Sequence, residues 1–347
     1  MSGAVREAGA PLVSVVVPTL AGSSCLADCL LSLERQELRD FETIVVDNSP
    51  AAATRDLPPP ASAARIVRTG ENLGFAGGAN AGAAVAAGDF LAFLNDDVRL
   101  EPSWLRAMVS CLERHPRAAS AAGKVVRASD ARILDGAGDA MTRALKAYRR
   151  GQGRLDTGRY DHEEQIFSAP GTACLWRARA FRDLGGFDAG FFAYYEDVDL
   201  GFRARRAGYE CWYTPAAVAV HHGAATATSR IGEFEAYYGV RNRWRTIVKN
   251  APAGWILREL HWIVVGEITS AARSAIVGDL GPLIRAYRDV FRSRRELLAE
   301  RRSRGGAAVS PDMAPRPSRR LPPLDVSLWR LALRRRSQGD AAVTPPP

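Results

Sequence analysis

The sequence predicts an α/β fold: a mostly parallel sheet flanked by helices, followed by a C-terminal helical appendage. Three observations carry this. Apolar, β-branched runs alternate with stretches of helical period through the first hundred residues. The runs end in polar or acidic residues, as strands do where their carboxyl ends face a ligand crevice. From about Ile231 the strand pattern gives way to long helical periodicity.

The elements follow in order. "LVSVVVP" is a continuous apolar run ending at Pro18, which suits a strand buried on both faces. "CLADCLLSLERQ" has helical spacing. "FETIVVDNS" and "ARIVRT" read as a second and a third strand. "GFAGGANAGAAVAAG" reads as a glycine-rich turn running into an alanine-rich helix, and "DFLAFLNDDV" as a fourth strand ending in acids. Strand–helix alternation of this kind implies right-handed crossovers and helices on both faces. The groups at the strand ends, Thr19, Asp47, Asn48, Asn95, Asp96 and Asp97, predict a polar, acidic cleft. "EPSWLRAMVSCLERHP" reads as a helix with Pro102 near its first turn. Strands and mobile loops are expected from Ala118 to Tyr160. "FSAPGTACLWRARAFRDLGGFD" reads as strand, helix and Gly-Gly turn, and "YECWYTPAAVAVHH" as strand, turn, strand.

Three regions are expected: residues 1–228 as the catalytic domain, 229–300 as a helical segment, and 301–347 as a basic, Pro-rich, mostly disordered tail. The chain carries a net charge of +9, but ten arginines against three aspartates put +7 on residues 301–347 and leave +2 on the rest. The body therefore has no call for a polyanion, and specific nucleic-acid binding is not expected. Within the tail, "VSLWRLALRRR" has the pattern of a basic amphipathic helix suited to anionic headgroups. "GWILRELHWIVVGEITSAARSAIV" resembles a membrane span until Arg258, Glu259, His261 and Glu267 interrupt it, since mid-helix charges are costly in a bilayer. An amphipathic helix is expected instead, packed on the domain or lying at a membrane interface with Trp255 and Trp262 as anchors. "MSGAVREAGAPLV" lacks an apolar run of signal-peptide length. The five scattered cysteines complete no zinc pattern and suit buried thiols in a reducing compartment. A cytoplasmic protein, held at the inner face of the plasma membrane, is the resulting expectation.

Several motifs could carry chemistry. The glycines Gly74, Gly77, Gly78 and Gly82 do not have dinucleotide spacing, and no Walker lysine follows them. What they allow is close backbone approach to a ligand, or simply a tight turn before a packed helix. "FLNDDV" places Asn95 and Asp97 on one side of an extended segment and Asp96 on the other. Such a pair suits one hard cation or one sugar hydroxyl, although an acidic strand end is more often a turn. Of His221 and His222, one points inward from a strand end. In "FFAYYEDVDLGFRARRAG", helical period puts Asp197 on a face with Leu200, Gly201 and Ala204, whereas Asp199 lies near Arg203 and Arg206. A carboxylate on an apolar face without a local cation suggests a desolvated, up-shifted acid, a candidate general base.

Taken together, "VSVVVPT", "IVVDNS", "ENLGFAGGAN", "FLNDDV", "GGFDAGFFAYYEDVDLGFRARRAG" and "AVAVHHGAAT" resemble the inverting family 2 glycosyltransferases of GT-A-type fold. The similarity is to their rhamnosyltransferase-like subgroup of cell-wall and surface-polysaccharide assembly. The motifs stand in the family's order from Leu12 to Thr228, and "YYGVRNRWRTIVKN" resembles the subgroup's C-terminal region. The resemblance implies roles. Pro18, Thr19 and Asp47 would line the nucleotide pocket, with Asp47 reading the base. The stretch from Asn72 through Gly74 and Gly77 to Asn80 would close over the nucleotide sugar. "NDD" stands at the family's Asp-x-Asp position, so Asp97 would bind Mg²⁺ or Mn²⁺, with Asn95 and Asp96 on the donor side. Asn95 departs from the fuller acidic version and leaves one fewer charge. Asp197 matches the family's base, and His221 the histidine that completes the metal shell. Glu196 and Trp176 would lie on the acceptor side. The implied partners are a nucleotide-sugar donor, dTDP-rhamnose being one such donor, and a lipid-linked or glycan acceptor. A sugar nucleotidyltransferase or a non-catalytic sugar-nucleotide-binding protein are the alternatives. The first would show a basic glycine-rich N-terminal signature, and the second the loss of Asp97 or Asp197. The chain shows neither mark.

Overall fold

The computed structural model describes residues 9–20, 24–50, 64–223, 229–277 and 280–304. The tail from residue 305, with its amphipathic stretch, lies outside the described residues, as do the first eight residues and the 228/229 boundary's left side.

The first half builds β1 (Val13–Thr19), α1 (Ser24–Glu34), β2 (Phe41–Asp47), β3 (Arg65–Arg68), α2 (Gly74–Val85), β4 (Phe90–Leu94), β5 (Val98–Leu100) and α3 (Trp104–Arg114). Next come β6 (Ala118–Arg127), β7 (Asp130–Gly136), β8 (Asp139–Met141), β9 (Ala147–Arg149), β10 (Glu164–Gln165), β11 (Ala173–Arg177), α4 (Ala178–Asp183), α5 (Glu196–Arg206) and β12 (Glu210–His221). Four helices end the described chain: α6 (Ser229–Asn250), α7 (Ala253–Val277), α8 (Gly281–Arg292) and α9 (Arg294–Ser303).

One sheet organises the molecule, with strand order β10-β12-β6-β11-β4-β1-β2-β3. The path β3-β2-β1-β4 is parallel, as the crossover helices require. β11 then enters antiparallel between β4 and β6, and β12 runs parallel to β6. Alternation along β1 sorts the core onto two faces. Val13, Val15 and Val17 pack with Leu30 of α1 and Trp104 of α3, while Val16 packs with Ala79 of α2 and Leu200 of α5.

Three local expectations are corrected, and the strands expected after Ala118 are found. The glycine-rich stretch is not a turn ahead of the helix, because α2 begins at Gly74 itself and carries its other glycines inside the helix. They set a packing distance: a Cβ at Gly82 would sit 2.4 Å from Cγ1 of Val16, and one at Gly78 3.1 Å from Nδ2 of Asn48. "DFLAFLNDDV" is strand, turn, strand, since Val98 N–H donates to the Asn95 carbonyl at 3.3 Å. The stretch after Ala118 opens with a ten-residue strand, β6, nine of whose residues are buried. "ECWYTPAAVAVH" is one strand whose register shifts between Thr214 and Val218, where Pro215 has no N–H for the ladder.

The C-terminal helices share a core with the sheet domain. Ile247, Trp255 and Ile263 pack with Val198 and Phe202 of α5 and with Met141. Trp255 is buried edge-on against Phe202, so it is not an interfacial anchor. The Trp262 ring lies under Arg143, 5.2 Å away. α9 runs past the expected 300/301 boundary, and Arg304 at its end reaches Oδ1 of Asp199 at 2.9 Å.

Candidate active site

The carboxyl ends of the parallel strands meet as the sequence pattern implies. Thr19 Oγ1, at the end of β1, donates to Oδ2 of Asp96 at 2.6 Å. Asp47, at the end of β2, is buried and accepts from Ser49, with Arg68 3.8 Å away. Asn48 joins this edge to α2, donating to the Gly74 carbonyl and accepting from Leu73 N–H. Pro18 lies beneath Gly78, and Asn72 closes an Asx turn onto Gly74 N–H at 2.9 Å. Gly74 has φ +69°, and a Cβ there would strike the Phe192 carbonyl oxygen at 2.2 Å. Gly77 abuts Leu73, the residue that precedes α2.

Asp96 and Asp97 leave the turn in different directions, although the segment is not extended. Asp97 turns to the end of β12, where its Oδ1 is 3.2 Å from His221 Nε2. The other ring nitrogen, Nδ1, is 2.9 Å from Oδ2 of Asp135 at the end of β7. Of the two histidines, His221 is the inward one and His222 is exposed. Burial alone would lower the His221 pKa, but hydrogen bonds to Asp135 and Asp97 lift it to about 9. Burial would likewise raise Asp97, and the bond to His221 overcomes it and holds the carboxyl below its ordinary range. Asp96, without such a partner, is raised by burial. The donor chemistry fits a divalent cation. A carboxylate oxygen and an imidazole nitrogen stand side by side, and a second carboxylate fixes the far side of the ring.

Asp197, in the first turn of α5, sits against the chain entering β11. Gly171 N–H donates to its Oδ2 at 2.9 Å, and Val198 N–H to its Oδ1 at 2.7 Å. The next residue, Thr172, accepts from Asn95 N–H at 3.0 Å, which ties this acid to the Asn95–Asp97 turn across β11 and β4. Two acids beside it are shifted upward. Burial, then the charge of Asp197, pushes Asp139 up to about 8 and Glu196 well above its ordinary value. Glu196 Oε2 is buried and has no hydrogen-bond partner. Asp199 is separate, as its spacing predicts. It pairs with Arg203 at 2.8 Å but not with Arg206, whose guanidinium reaches the Arg304 carbonyl. Asn250 and Arg304 complete its surroundings, and although burial would raise it, the Arg203 and Arg304 charges bring its pKa to about 2.

The chain entering α5 is strained into place. Phe192, Tyr194 and Tyr195 have φ values of 67°, 67° and 70°. Asn242 of α6 holds this loop by donating to the carbonyls of Phe191, Ala193 and Tyr194.

Two expected contacts are corrected. The Asn80 amide is spent at both ends on the backbone of Phe187, at 2.6 and 3.0 Å, which makes it a clamp between α2 and the loop after α4. Trp176 is wholly buried, because its strand lies inside the sheet and its ring packs on Phe181. The reading of the sequence misses Asp135, Asp139 and Arg149. Arg149 bridges the two aspartates, 3.3 Å from Asp135 and 3.9 Å from Asp139, and so links the histidine side of the site to the Asp197 side. Their one signal was "DGAGD", two acids flanking a glycine-rich turn. Among the described residues, Cys111, His115 and Glu163 also converge, but at the other end of β12, where Arg114 already neutralises Glu163.

The sequence model described as "Glycosyl transferase family 2" matches residues 14–184. The chain is 28% identical over 292 residues to N-acetylglucosaminyl-diphospho-decaprenol L-rhamnosyltransferase of Mycobacterium tuberculosis (strain ATCC 25618 / H37Rv), covering 74% of this chain and 90% of that one. It is 28% identical over 235 residues to the pre-mycofactocin glycosyltransferase of the same strain, covering 65% of this chain and 46% of the other. Among solved structures, GalNAc-T7 with UDP, GalNAc and Mn²⁺ matches at TM-score 0.58 and 15% identity, over 84% of this chain and 57% of that one. The mannosyltransferase PcManGT from Pyrobaculum calidifontis, in complex with GDP-Man and Mn²⁺, matches at TM-score 0.52 and 17% identity, over 85% of each chain. At such identities the two structures speak for a shared fold.

Proposed function

Because the chain belongs to glycosyl transferase family 2, we propose that it is an inverting, divalent-metal-dependent enzyme that moves L-rhamnose from dTDP-rhamnose to a lipid-linked or glycan acceptor in cell-wall or surface-polysaccharide synthesis. Membership makes it a glycosyltransferase of GT-A-type fold. The choice of rhamnose and of a diphospho-lipid acceptor is supported by the name of the mycobacterial relative.

The observation that carries the mechanism is the seating of Asp197. Its carboxylate is held by Gly171 N–H, one residue from the Thr172 carbonyl that takes the Asn95 N–H. A base and the donor-side turn are thereby held by one strand end. Asp197 takes the proton of the acceptor hydroxyl as that oxygen attacks the anomeric carbon opposite the departing nucleoside diphosphate. Asp139 and Glu196 stay protonated more readily beside it, so the site carries fewer negative charges than its carboxylates would suggest. Asp97 and His221 would hold Mg²⁺ or Mn²⁺, which when bound supplies Lewis-acid stabilisation of the diphosphate. Thr19 and Asp96, Asp47, Asn72, Gly74 and Gly77 form the donor side.

No helix among the described residues is long and apolar enough to cross a membrane. The exposed residues Leu257, Leu260, Val264 and Ile268 do form a stripe along α7, at the spacing of one helix face. That stripe supports contact with the surface of a bilayer, at the inner face of the plasma membrane, where a lipid-linked acceptor is presented.

Asp197→Asn is expected to lower transfer by about 10²- to 10⁴-fold, the usual contribution of a positioned base. Donor affinity, read by calorimetry, is expected to stay near wild type. Near-normal turnover in this variant would remove Asp197 from the mechanism.

A further inference from the structure

The stretch "VRNRWR" puts Arg241, Arg243 and Arg245 on α6, and their surroundings differ. Arg243 is ion-paired with Glu267 and donates to the Ala144 and Leu145 carbonyls. Arg241 and Arg245 lie one turn apart, and among the described residues neither has a carboxylate within ion-pair distance. Arg245 is only 6% exposed, and its Nε has no hydrogen-bond partner. Its guanidinium rests over the Phe191 ring, 5.9 Å from the centroid. Arg241 is half-buried, donates to Oδ1 of its neighbour Asn242 and lies 5.7 Å from the Tyr238 ring. Burial, and then the like charge of Arg245, pull the Arg241 guanidinium below its ordinary range. The acid beside them, Asp188, is already engaged by Lys249 and Arg304. Asp289 acts on Arg241 only from beyond ion-pair distance, and its Oδ2 accepts from the Tyr237 hydroxyl. Two neighbouring cations drawn out of water without an ion-paired carboxylate are costly, and a bound anion relieves that cost.

The place has an opening. Gly190 is exposed, and a Cβ there would sit 2.8 Å from Nη2 of Arg245. The place is also next to the chemistry. Asn242, between the two arginines, holds the Phe191–Tyr194 loop that leads into Glu196 and Asp197, and the Phe192 carbonyl accepts from Ala76 N–H in the first turn of α2. We infer that Arg241 and Arg245 form a diphosphate-binding site against the Phe191–Tyr194 loop. The planar fork of a guanidinium matches paired phosphate oxygens better than any other side chain does. The inference rests on the glycosyltransferase reading for its two sources of diphosphate, the nucleotide of the donor and the lipid-diphosphate end of an acceptor.

Calorimetry on the full chain, with Mn²⁺, tests it using inorganic pyrophosphate, dTDP and farnesyl diphosphate. Arg245→Gln and Arg241→Gln are each expected to weaken pyrophosphate binding by about tenfold or more, with Arg245→Lys recovering part of the loss. Gly190→Ala keeps both arginines in the chain but crowds Nη2 of Arg245 and narrows the opening, so it is expected to weaken pyrophosphate several-fold. A loss for dTDP alone among the two larger probes assigns the site to the donor, and a loss for farnesyl diphosphate alone assigns it to the acceptor. Unchanged affinity for all three probes in both glutamine variants overturns the inference. Thermal unfolding of Arg245→Met without ligand gives a second readout. A ligand-awaiting charge predicts a melting temperature held or raised, whereas a large fall would show that Arg245 is a structural residue and overturn the site. Should wild type bind pyrophosphate through these arginines yet turn over no nucleotide sugar, the proposed donor chemistry fails and the anion site stands. Intact transfer with unmoved pyrophosphate affinity fails the site alone.

Discussion

At the scale of residues, the site depends on second partners more than on its headline acids. His221 can present Nε2 toward Asp97 only because Asp135 holds Nδ1. Asp135→Ala is therefore expected to weaken Mn²⁺ binding by about 10- to 100-fold, read by metal titration without donor. An unchanged titration would count against the histidine as a ligand. Asp199 supports the fold instead. Its folded pKa of about 2 lies below the unfolded carboxyl value of about 3.9. The stabilisation is then fully present above about pH 4 and is lost as pH falls through 2, and it amounts to roughly 2–3 kcal/mol. Asp199→Asn is expected to unfold at lower temperature at pH 7 and to show a shallower loss of stability between about pH 4 and pH 2. Parallel pH profiles for the two proteins would refute that. Asp97, Asp197 and His221 were legible as residue types at strand ends and on a helix face. Asp135, Asp139 and Arg149 were not, because a hairpin brought them in and no local period marks that kind of arrival.

At the scale of elements, α2 shows where pattern reading fails. Glycines signal turns, yet here they are interior helix residues that let α2 lie directly on β1 and β2. Helix propensity opposes them by about 1 kcal/mol each, and close packing outweighs that cost. Gly82→Ala puts a methyl 2.4 Å from Val16 Cγ1 and is expected to destabilise by roughly 1–3 kcal/mol, read as a lowered melting temperature. A stabilised variant would mean that β1 and α2 separate freely. In α7 the period was right and the inward face was misassigned. Trp255 turns to the core, and Leu257, Leu260, Val264 and Ile268 face outward. Leu260→Glu with Ile268→Glu is expected to abolish co-sedimentation with anionic vesicles while leaving the melting temperature nearly unchanged. Retained co-sedimentation would take the membrane role away from α7.

At the scale of the whole molecule, the parallel half of the sheet was readable because β1 and β4 are apolar, buried runs with the helices α1 and α2 between them in sequence. The antiparallel half was not, since β6, β11 and β12 take their neighbours from distant sequence. The helical appendage was legible as helices but not as part of the same body. Phe202 packs on Trp255, Lys249 meets Asp188 and Glu300, and Asn250 and Arg304 close on Asp199. Removing everything after Thr228 would strip these partners from α5, so such a truncation cannot separate membrane attachment from folding. Surface substitutions on α7 can.

The contact between Arg304 and Asp199 spans 105 residues. During synthesis the chain leaves the ribosome in order, and the N-terminal sheet can assemble early. The helix that carries Asp197 also draws on later segments. Its buried Asp199 finds Arg203 within the same helix, but its second cation, Arg304, is made about a hundred residues later, so the surroundings of that helix are completed only once α9 has been made. In this design the helix that bears Asp197 reaches its full set of partners only when α9 has been delivered.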